Sequence, residues 1–299
     1  MPLITVFTSP KPFNISPHIS IIQRNAIQSW MHLGPEVEVF LMGDEDGMAE
    51  IAEEFQIRHF PEVKCSEQGT PYISSMIDLA RQFSDASYLA ILNADIMLMP
   101  DFIEATRQVG AQSNEFLFLG RRWDLDVERE IDFDPGWEIR LRGDVEKRGV
   151  LHGPVGSDYF LFPRDLLADM PDFTIGRSGW DNWTIYHAVK SGWRVVDVTR
   201  SAMIVHQNHD YSHLPGGKPH YDLPETKQNI AIAGGVKTMY SILEANTILV
   251  NGKLQSASMS IPRLLHRLEL LVTRDDLHGQ RRTIVRWLKR TRRKYENRL

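Results

Sequence analysis

The chain has 299 residues and a mass of 34.4 kDa, enough for one large α/β domain with an appendage or for two modest domains. Apolar residues make up 42% and charged residues 24%, which excludes a disordered chain and a fibrous repeat. The single cysteine, Cys65, excludes an intrachain disulfide and so a disulfide-rich secreted protein. The sequence shows no signal peptide and no apolar run of membrane-spanning length, so we expect a cytoplasmic protein.

Predicted strands alternate with segments of helical period over the first two thirds of the chain, which is typical of βαβ units and a mostly parallel sheet. In chain order the predicted elements are strand 3–8, helix 17–33, strand 37–42, helix 48–55, strand 57–60, helix 71–83, strand 88–92, a helix from about 100, strands 116–120 and 159–162, helix 183–191 and strand 194–198. An apolar segment, 202–205, then leads into a histidine-rich loop. After about residue 225 the pattern turns helical and predicts a helical appendage without strands. Met97 and Met99 are predicted to lie in the core.

Polar segments follow four of the apolar runs, at the ends where open α/β sheets bind their ligands. They are Thr8–Ser9, Asp44–Glu45–Asp46, Asn93–Ala94–Asp95 and His206. Acids and imidazoles that converge there suit a divalent cation that neutralises a diphosphate. The chain lacks the glycine motifs of dinucleotide-binding and P-loop proteins, and it lacks the nucleophile elbow of α/β-hydrolases.

The order and spacing of these motifs resemble the nucleotide-sugar-binding half of GT-A-fold glycosyltransferases. The resemblance covers about residues 3–213 and includes the segment Gly179–Trp180–Asp181–Asn182–Trp183. It implies an α/β fold with a GT-A-like (Rossmann-like), mostly parallel central sheet flanked by helices. Residues 1–225 would form the catalytic domain, with a nucleotide-sugar half (1–100) and an acceptor half (101–225), and residues 226–299 would form the helical appendage with a basic tail.

The resemblance implies transfer of a sugar from a nucleotide-diphosphate sugar to a hydroxyl acceptor, with inversion, in glycan or polysaccharide biosynthesis. Asp95 and His206 would bind Mn²⁺ or Mg²⁺; Asn93 stands where the family most often has an acid and brings no charge, so metal binding would depend more on His206. The implied donor contacts are Thr8, Ser9, Asp44, Glu45, Asn93, Asp95 and Lys218, and the implied acceptor contacts are Trp123, Asp158, Trp180 and Asn182.

Asp181 is the predicted general base, because an inverting transferase needs a carboxylate within hydrogen-bond reach of the acceptor hydroxyl. The flanking Trp180 and Trp183 suit stacking against a sugar ring. A simpler interpretation is that Asp181 caps a helix that begins near Trp183.

Other functions stay open from the sequence. His206, His209 and His213 have the spacing of ligands in a zinc-dependent hydrolase, although the composition that follows them is that of a loop. A sugar nucleotidyltransferase is a further alternative, but the glycine-rich basic loop expected after the first strand is missing. An inactive sugar-binding module is conceivable because of Asn93.

Charge is unevenly distributed along the chain. The net charge is −5, yet residues 281–299, the basic tail, hold nine Lys or Arg and one acid, which leaves −13 on the rest. Ile284, Trp287 and Leu288 recur there at helical spacing. This pattern is typical of a helix packed on the body by its apolar stripe, or of a peripheral contact with an anionic membrane on its cytoplasmic face. The acidic body argues against nucleic acid as a partner.

Overall fold

The computed structural model describes residues 1–209, 223–273 and 279–296. The strands are β1 (Ile4–Thr8), β2 (Val37–Met42), β3 (Arg58–Phe60), β4 (Tyr88–Leu92), β5 (Ile96–Met97), β6 (Phe116–Leu119), β7 (Trp123–Leu125), β8 (Val150–Leu151), β9 (Tyr159–Pro163), β10 (Arg194–Asp197), β11 (Val205–Gln207), β12 (Thr247–Val250) and β13 (Lys253–Ser256). The helices are α1 (Pro17–Met31), α2 (Met48–Phe55), α3 (Ile73–Phe83), α4 (Asp101–Gly110), α5 (Trp137–Arg148), α6 (Trp180–Lys190), α7 (Pro224–Ala233), α8 (Ile261–Val272) and α9 (Gly279–Glu296).

The main sheet has the strand order β13-β12-β10-β6-β9-β4-β1-β2-β3. β1 runs parallel to both β2 and β4, and β10 runs parallel to β6 and β12. β9 is antiparallel to β4 and β6, and β13 is antiparallel to β12. A smaller sheet has the order β5-β11-β7-β8. The prediction of an α/β fold with a mostly parallel central sheet is therefore confirmed.

Both faces of the central strands are covered, which is why these strands are apolar at almost every position, with the buried Thr5 and Thr8 of β1 as exceptions. In β1, Val6 packs into the cluster that contains Trp30 of α1, whereas Phe7 packs into the cluster on the other face. Trp30 is fully buried, and its indole Nε1 donates a 2.8 Å hydrogen bond to the carbonyl of Ile96. This bond joins β5 of the small sheet to α1.

The end of the chain differs from the sequence prediction. β12 and β13 follow residue 225 and extend the main sheet, with Thr247 paired to Val196 of β10. The prediction that this part of the chain has no strands is wrong, and its last two described helices, α8 and α9, pack against each other. Met97 and Met99 are fully buried, so their assignment to the core is confirmed.

α9 packs through a different stripe from the one expected. Leu288 is buried together with Val285, whereas Ile284 and Trp287 are 46% and 61% exposed. Arg292 is buried between α8 and α9, and its guanidinium pairs with the carboxylate of Glu269 at 2.7 Å. The predicted apolar stripe is thus divided between a packed side and an open side. None of the described helices is long and apolar enough to cross a membrane.

Candidate metal and anion site

A cavity of about 370 Å³ opens where β1 and β4 end side by side. Its polar lining residues are Ser9, Lys11, Gln23, Glu45, Thr70, Asn93, Asp95, Arg122, Asp158, Arg177, His206 and His209. Ser9 directly follows β1 and Asn93 directly follows β4, so the parallel pairing of the two strands brings these residues to one edge. The cavity therefore lies at the carboxyl ends of the strands, as the sequence predicted.

Asp95, His206 and His209 form a cluster whose nitrogen and oxygen atoms lie within 4.8 Å of one another. Nε2 of His209 is 3.0 Å from Oδ2 of Asp95, and Nε2 of His206 is 4.0 Å from the same oxygen. Oδ1 of Asp95 is buried and has no hydrogen-bond partner. A divalent cation would satisfy this oxygen, and the carboxylate and imidazole donors fit Mn²⁺, Mg²⁺ or Zn²⁺.

The pairing of β11 with β5 explains why this cluster forms. His206 in β11 is registered with Ile96 of β5, the residue that follows Asp95. Two of the three cluster residues, Asp95 and His206, are the metal pair predicted from the sequence. The third, His209, was considered in the sequence analysis only as a ligand of the alternative zinc-dependent hydrolase.

Asp124 lies on the Nδ1 side of the His206 imidazole. Its Oδ1 is 3.2 Å from Nδ1 of His206, and its Oδ2 is 2.6 Å from Nδ1 of His152. This contact is not aligned as a hydrogen bond, so Asp124 acts on the imidazole through its charge, which favours a proton on Nδ1 and leaves Nε2 as the ligand atom near Asp95. Burial opposes ionisation of Asp124, but contacts with His152, His206 and Arg122 hold its pKa well below the usual range.

Two opposing effects also act on the ionisable members of the cluster. Burial would raise the pKa of Asp95, but the hydrogen bond with His209 and the charges of His206 and Lys11 hold that pKa well below its usual range. Burial would lower the pKa of His206, but contact with Asp124 and the charge of Asp95 outweigh it and raise this pKa. Without a metal, the cluster is therefore a carboxylate beside an imidazole that readily keeps a proton.

Mn²⁺ binding is expected to weaken by about tenfold or more when the pH falls from about 8 to about 6, because a protonated His206 cannot act as a ligand. Isothermal titration with Mn²⁺ at both pH values measures this change. His187 lies on α6, away from the cavity, where it contacts Asp169. The control variant is His187→Gln, and its Mn²⁺ affinity should depend on pH as in the unaltered chain. An Mn²⁺ affinity that is equal at both pH values would contradict a role of His206 as ligand.

Cations line the cavity close to this cluster. Arg122 contacts the carboxylate of Asp158, which also accepts a 2.9 Å hydrogen bond from Nδ2 of Asn93. Arg177 is held by Glu225, with Nε 2.9 Å from Oε2. Lys11 and these guanidinium groups line the cavity beside the carboxylates of Glu45, Asp95 and Asp158, and their N–H groups are donors suited to an anion such as a diphosphate. The sequence prediction had missed all three cations.

Asp181 lies in the first turn of α6, close enough to Asp158 for the charge of that residue to act on it. Burial raises the pKa of Asp181 to about 6, and repulsion from Asp158 adds to this effect. The helix begins at Trp180 with Gly179 as its N-cap, so it starts three residues earlier than expected and Asp181 is not its N-cap residue. Asp181 accepts a 3.3 Å hydrogen bond from the backbone N–H of Gly179.

Gly179→Ala is expected to destabilise the protein by about 1–3 kcal/mol and to displace Asp181. Gly179 has a φ of +117°, and a Cβ there would lie 3.3 Å from backbone atoms of Asn229 and Ile230. The control is Gly176→Ala, where φ is +67° and nothing lies within 4 Å, with an expected cost of about 1 kcal/mol. Urea unfolding measures both. Equal losses in the free energy of unfolding for the two variants would show that a Cβ at position 179 does not crowd the backbone of Asn229.

Two of the predicted contact residues are committed to other interactions. The hydroxyl of Thr8 is fully buried and donates to the carbonyl of Leu92 at 2.6 Å, so it joins β1 to β4 and does not line the cavity. Trp180 is buried against Phe160, with ring centroids 5.4 Å apart, so its side chain belongs to the core. The predictions of a donor contact from Thr8 and a sugar contact from Trp180 are wrong for this reason.

Other predicted residues lie away from the cavity lining. Asp44 is exposed, Trp123 lies in β7 beside Leu151, and Asn182 donates to the carbonyl of Tyr240 at 2.7 Å. Ser9, Glu45, Asn93, Asp95, Asp158 and His206 are the predicted residues that the cavity does bring together. Lys218 and His213 lie outside the described residues.

Comparison with protein-family models and with curated proteins finds no match. Among solved structures, the chain is similar to glucosyl-3-phosphoglycerate synthase from Mycobacterium tuberculosis in complex with Mn²⁺, UDP and glucosyl-3-phosphoglycerate. The identity is 14%, over 87% of this chain and 88% of that chain, with a TM-score of 0.46. It is also similar to S. aureus TarS 1-349, at 12% identity over 91% of this chain and 80% of that chain, with a TM-score of 0.46. At this level of similarity, the cavity's own residues decide which function the chain supports.

Proposed function

We propose that the chain is a glycosyltransferase of the GT-A type, which moves a sugar from a nucleotide-diphosphate sugar to a hydroxyl acceptor. The observation that carries this proposal is the metal-binding cluster of Asp95, His206 and His209 in a cavity that Lys11, Arg122 and Arg177 also line. Carboxylate and imidazole ligands beside cationic side chains suit a diphosphate with its divalent cation. Mn²⁺ or Mg²⁺ bound there would neutralise the charge of the leaving diphosphate.

The donor's nucleoside is assigned to the side of the cavity formed by Ser9 and Glu45. The Ser9 hydroxyl and the Glu45 carboxylate offer hydrogen-bond acceptors to ribose and base groups. Burial and the neighbouring Asp46 and Asp44 raise the pKa of Glu45. Asn93 is held by Asp158, so its amide is oriented before the ligand arrives.

Asp181 is the general base of the proposed reaction. Its carboxylate takes the proton of the acceptor hydroxyl while that oxygen bonds to the anomeric carbon. The bond from the anomeric carbon to the diphosphate oxygen breaks at the same time, and attack from the opposite face inverts the configuration. A pKa of about 6 leaves Asp181 ionised at neutral pH and basic enough to accept a proton.

A thermal-shift screen of nucleoside diphosphates and nucleotide sugars, each with and without Mn²⁺, tests the proposal. A ligand that binds the folded state raises the melting temperature, so one nucleotide should stabilise the protein, and more strongly with Mn²⁺. Stabilisation by Zn²⁺ alone, with no effect of any nucleotide, would instead favour the hydrolase.

We further propose a peripheral contact of the basic tail with anionic lipids on the cytoplasmic membrane face, where a lipid-linked or other glycan acceptor would be presented. α9 supports it by exposing the cations Arg281, Arg282, Arg286, Lys289, Arg290, Arg293 and Lys294. Such attraction falls with ionic strength. Sedimentation with anionic vesicles at low and high salt tests it, and equal absence of binding at both salts would contradict it.

A further inference from the structure

α8 carries a row of exposed apolar side chains along its whole length. Ile261, Leu264, Leu268 and Leu271 are 54%, 50%, 39% and 80% exposed. Their spacing of three, four and three residues places them on one face of the helix. The buried face consists of other residues, Pro262, Leu265, His266 and Glu269. Large apolar side chains aligned on a free face mark an interaction surface.

α9, which packs against α8, has exposed apolar groups of its own and exposed charges of one sign. Ile284 and Trp287 are exposed on α9, among the seven cations named above. The carboxylates of the two helices, Glu269 and Glu296, are buried, and both contact the guanidinium of Arg292. The described surface of α8 and α9 therefore combines apolar side chains with cations and carries no exposed acid.

We propose that the exposed row of α8, together with Ile284 and Trp287, inserts into the boundary between the headgroups and the acyl chains of an anionic bilayer. This inference rests on the membrane contact proposed above and deepens it, because it adds an apolar anchor to an electrostatic one. Cationic side chains beside an inserted apolar face are the arrangement by which interfacial helices bind anionic lipids. Lys and Arg reach the phosphates while their apolar stems stay near the acyl chains.

Charge favours a bilayer over the other occupants of such a face. In a second copy of the chain, the seven exposed cations of α9 would meet their own like charges across the interface. A nucleic acid would leave the leucines of α8 in water. An anionic lipid surface satisfies both the cations and the apolar row.

An apolar anchor and a purely electrostatic contact respond differently to salt. Salt screens the attraction between exposed charges, whereas burial of apolar surface persists or strengthens. The proposal therefore predicts a salt-resistant part of the binding that depends on α8. It also predicts that the indole of Trp287 reaches the acyl chains.

The test is sedimentation of the full chain with vesicles of phosphatidylcholine and phosphatidylglycerol, at low and at high salt. The apolar variant is Leu264→Gln, Leu268→Gln and Leu271→Gln combined. The charge variant is Arg286→Gln, Lys289→Gln and Arg290→Gln combined. Ile139→Gln is the matched control, because Ile139 is 73% exposed on α5. Melting temperatures and the oligomeric state are measured for each variant, and brominated lipids are used to compare quenching of the unaltered chain with Trp287→Phe.

We expect the apolar variant to lose about tenfold or more of its high-salt binding while Ile139→Gln binds like the unaltered chain. Quenching should be weaker in Trp287→Phe. Normal binding of the apolar variant at both salt concentrations would overturn insertion. If the charge variant alone then lost binding, the purely electrostatic membrane contact proposed above would still hold. No binding by the unaltered chain would overturn both. A dimer that the apolar variant abolishes would overturn insertion in favour of self-association.

Discussion

Asp95→Asn is expected to lower kcat/KM by about 1000-fold or more and to abolish the Mn²⁺-dependent rise in melting temperature. Asp95 supplies the carboxylate of the metal-binding cluster, and an amide keeps the shape of the side chain but not its charge. Without that charge, the cation loses its anionic ligand, and His206 and His209 lose the carboxylate that both of them contact. Initial rates over a range of Mn²⁺ concentrations measure the loss.

The matched control for this variant is Asp44→Asn. Asp44 follows β2 at the same edge of the sheet but is exposed and does not line the cavity. We expect its activity to stay within about twofold of the unaltered chain. Full activity of Asp95→Asn, with an unchanged dependence on Mn²⁺, would show that the cluster does not hold the cation used in the reaction.

Much of the first half of the fold could be predicted from the sequence. The predicted ranges of β2, α2 and β4 have the same bounds in the structure, Val37–Met42, Met48–Phe55 and Tyr88–Leu92. Long apolar strands separated by turn residues give a clear local signal, because the buried central strands are apolar at almost every position. The end of each strand then predicts which loops meet at the edge that binds ligands.

The hairpin of β12 and β13 gives a weaker signal. Its strands have four residues each, and β13 is mostly exposed, so no apolar run marks it. The pair Asn251–Gly252 between them, with φ values of +49° and +73°, is the feature that could have identified it. Asn-Gly favours the tight turns that connect antiparallel strands.

The acids of the candidate site could be predicted, whereas its cations could not. Lys11, Arg122 and Arg177 come from three separate loops, and basic residues are common on every surface. Only tertiary structure shows which of them face one cavity. Thr8 failed as a prediction for a related reason: its hydroxyl points along the sheet to Leu92, a direction that its position after an apolar run does not reveal.

Asp181→Asn is expected to lower kcat by about 100-fold to 10,000-fold while the donor still binds. Asparagine cannot accept the proton of the acceptor hydroxyl, but it leaves the metal-binding cluster intact. Because the pKa of Asp181 is about 6, activity of the unaltered chain should fall as the pH drops through about 6, where the carboxylate gains a proton and stops acting as a base. At Mn²⁺ concentrations that saturate the cluster at every pH, so that protonation of His206 does not limit the rate, this acid limb should be absent from the residual activity of the variant.

Asp169→Asn separates a chemical role of Asp181 from a general effect of charge near α6. Asp169 has a side chain that is 70% exposed and contacts His187 at 3.5 Å, so its removal changes the local charge by the same amount. We expect this control to keep both kcat and the acid limb. If Asp181→Asn also kept them, Asp181 would not be the base, and the proton would have to leave through another group. Retained Mn²⁺-dependent donor binding in that variant would still support the metal and anion site, because the metal-binding cluster consists of Asp95, His206 and His209 and does not include Asp181.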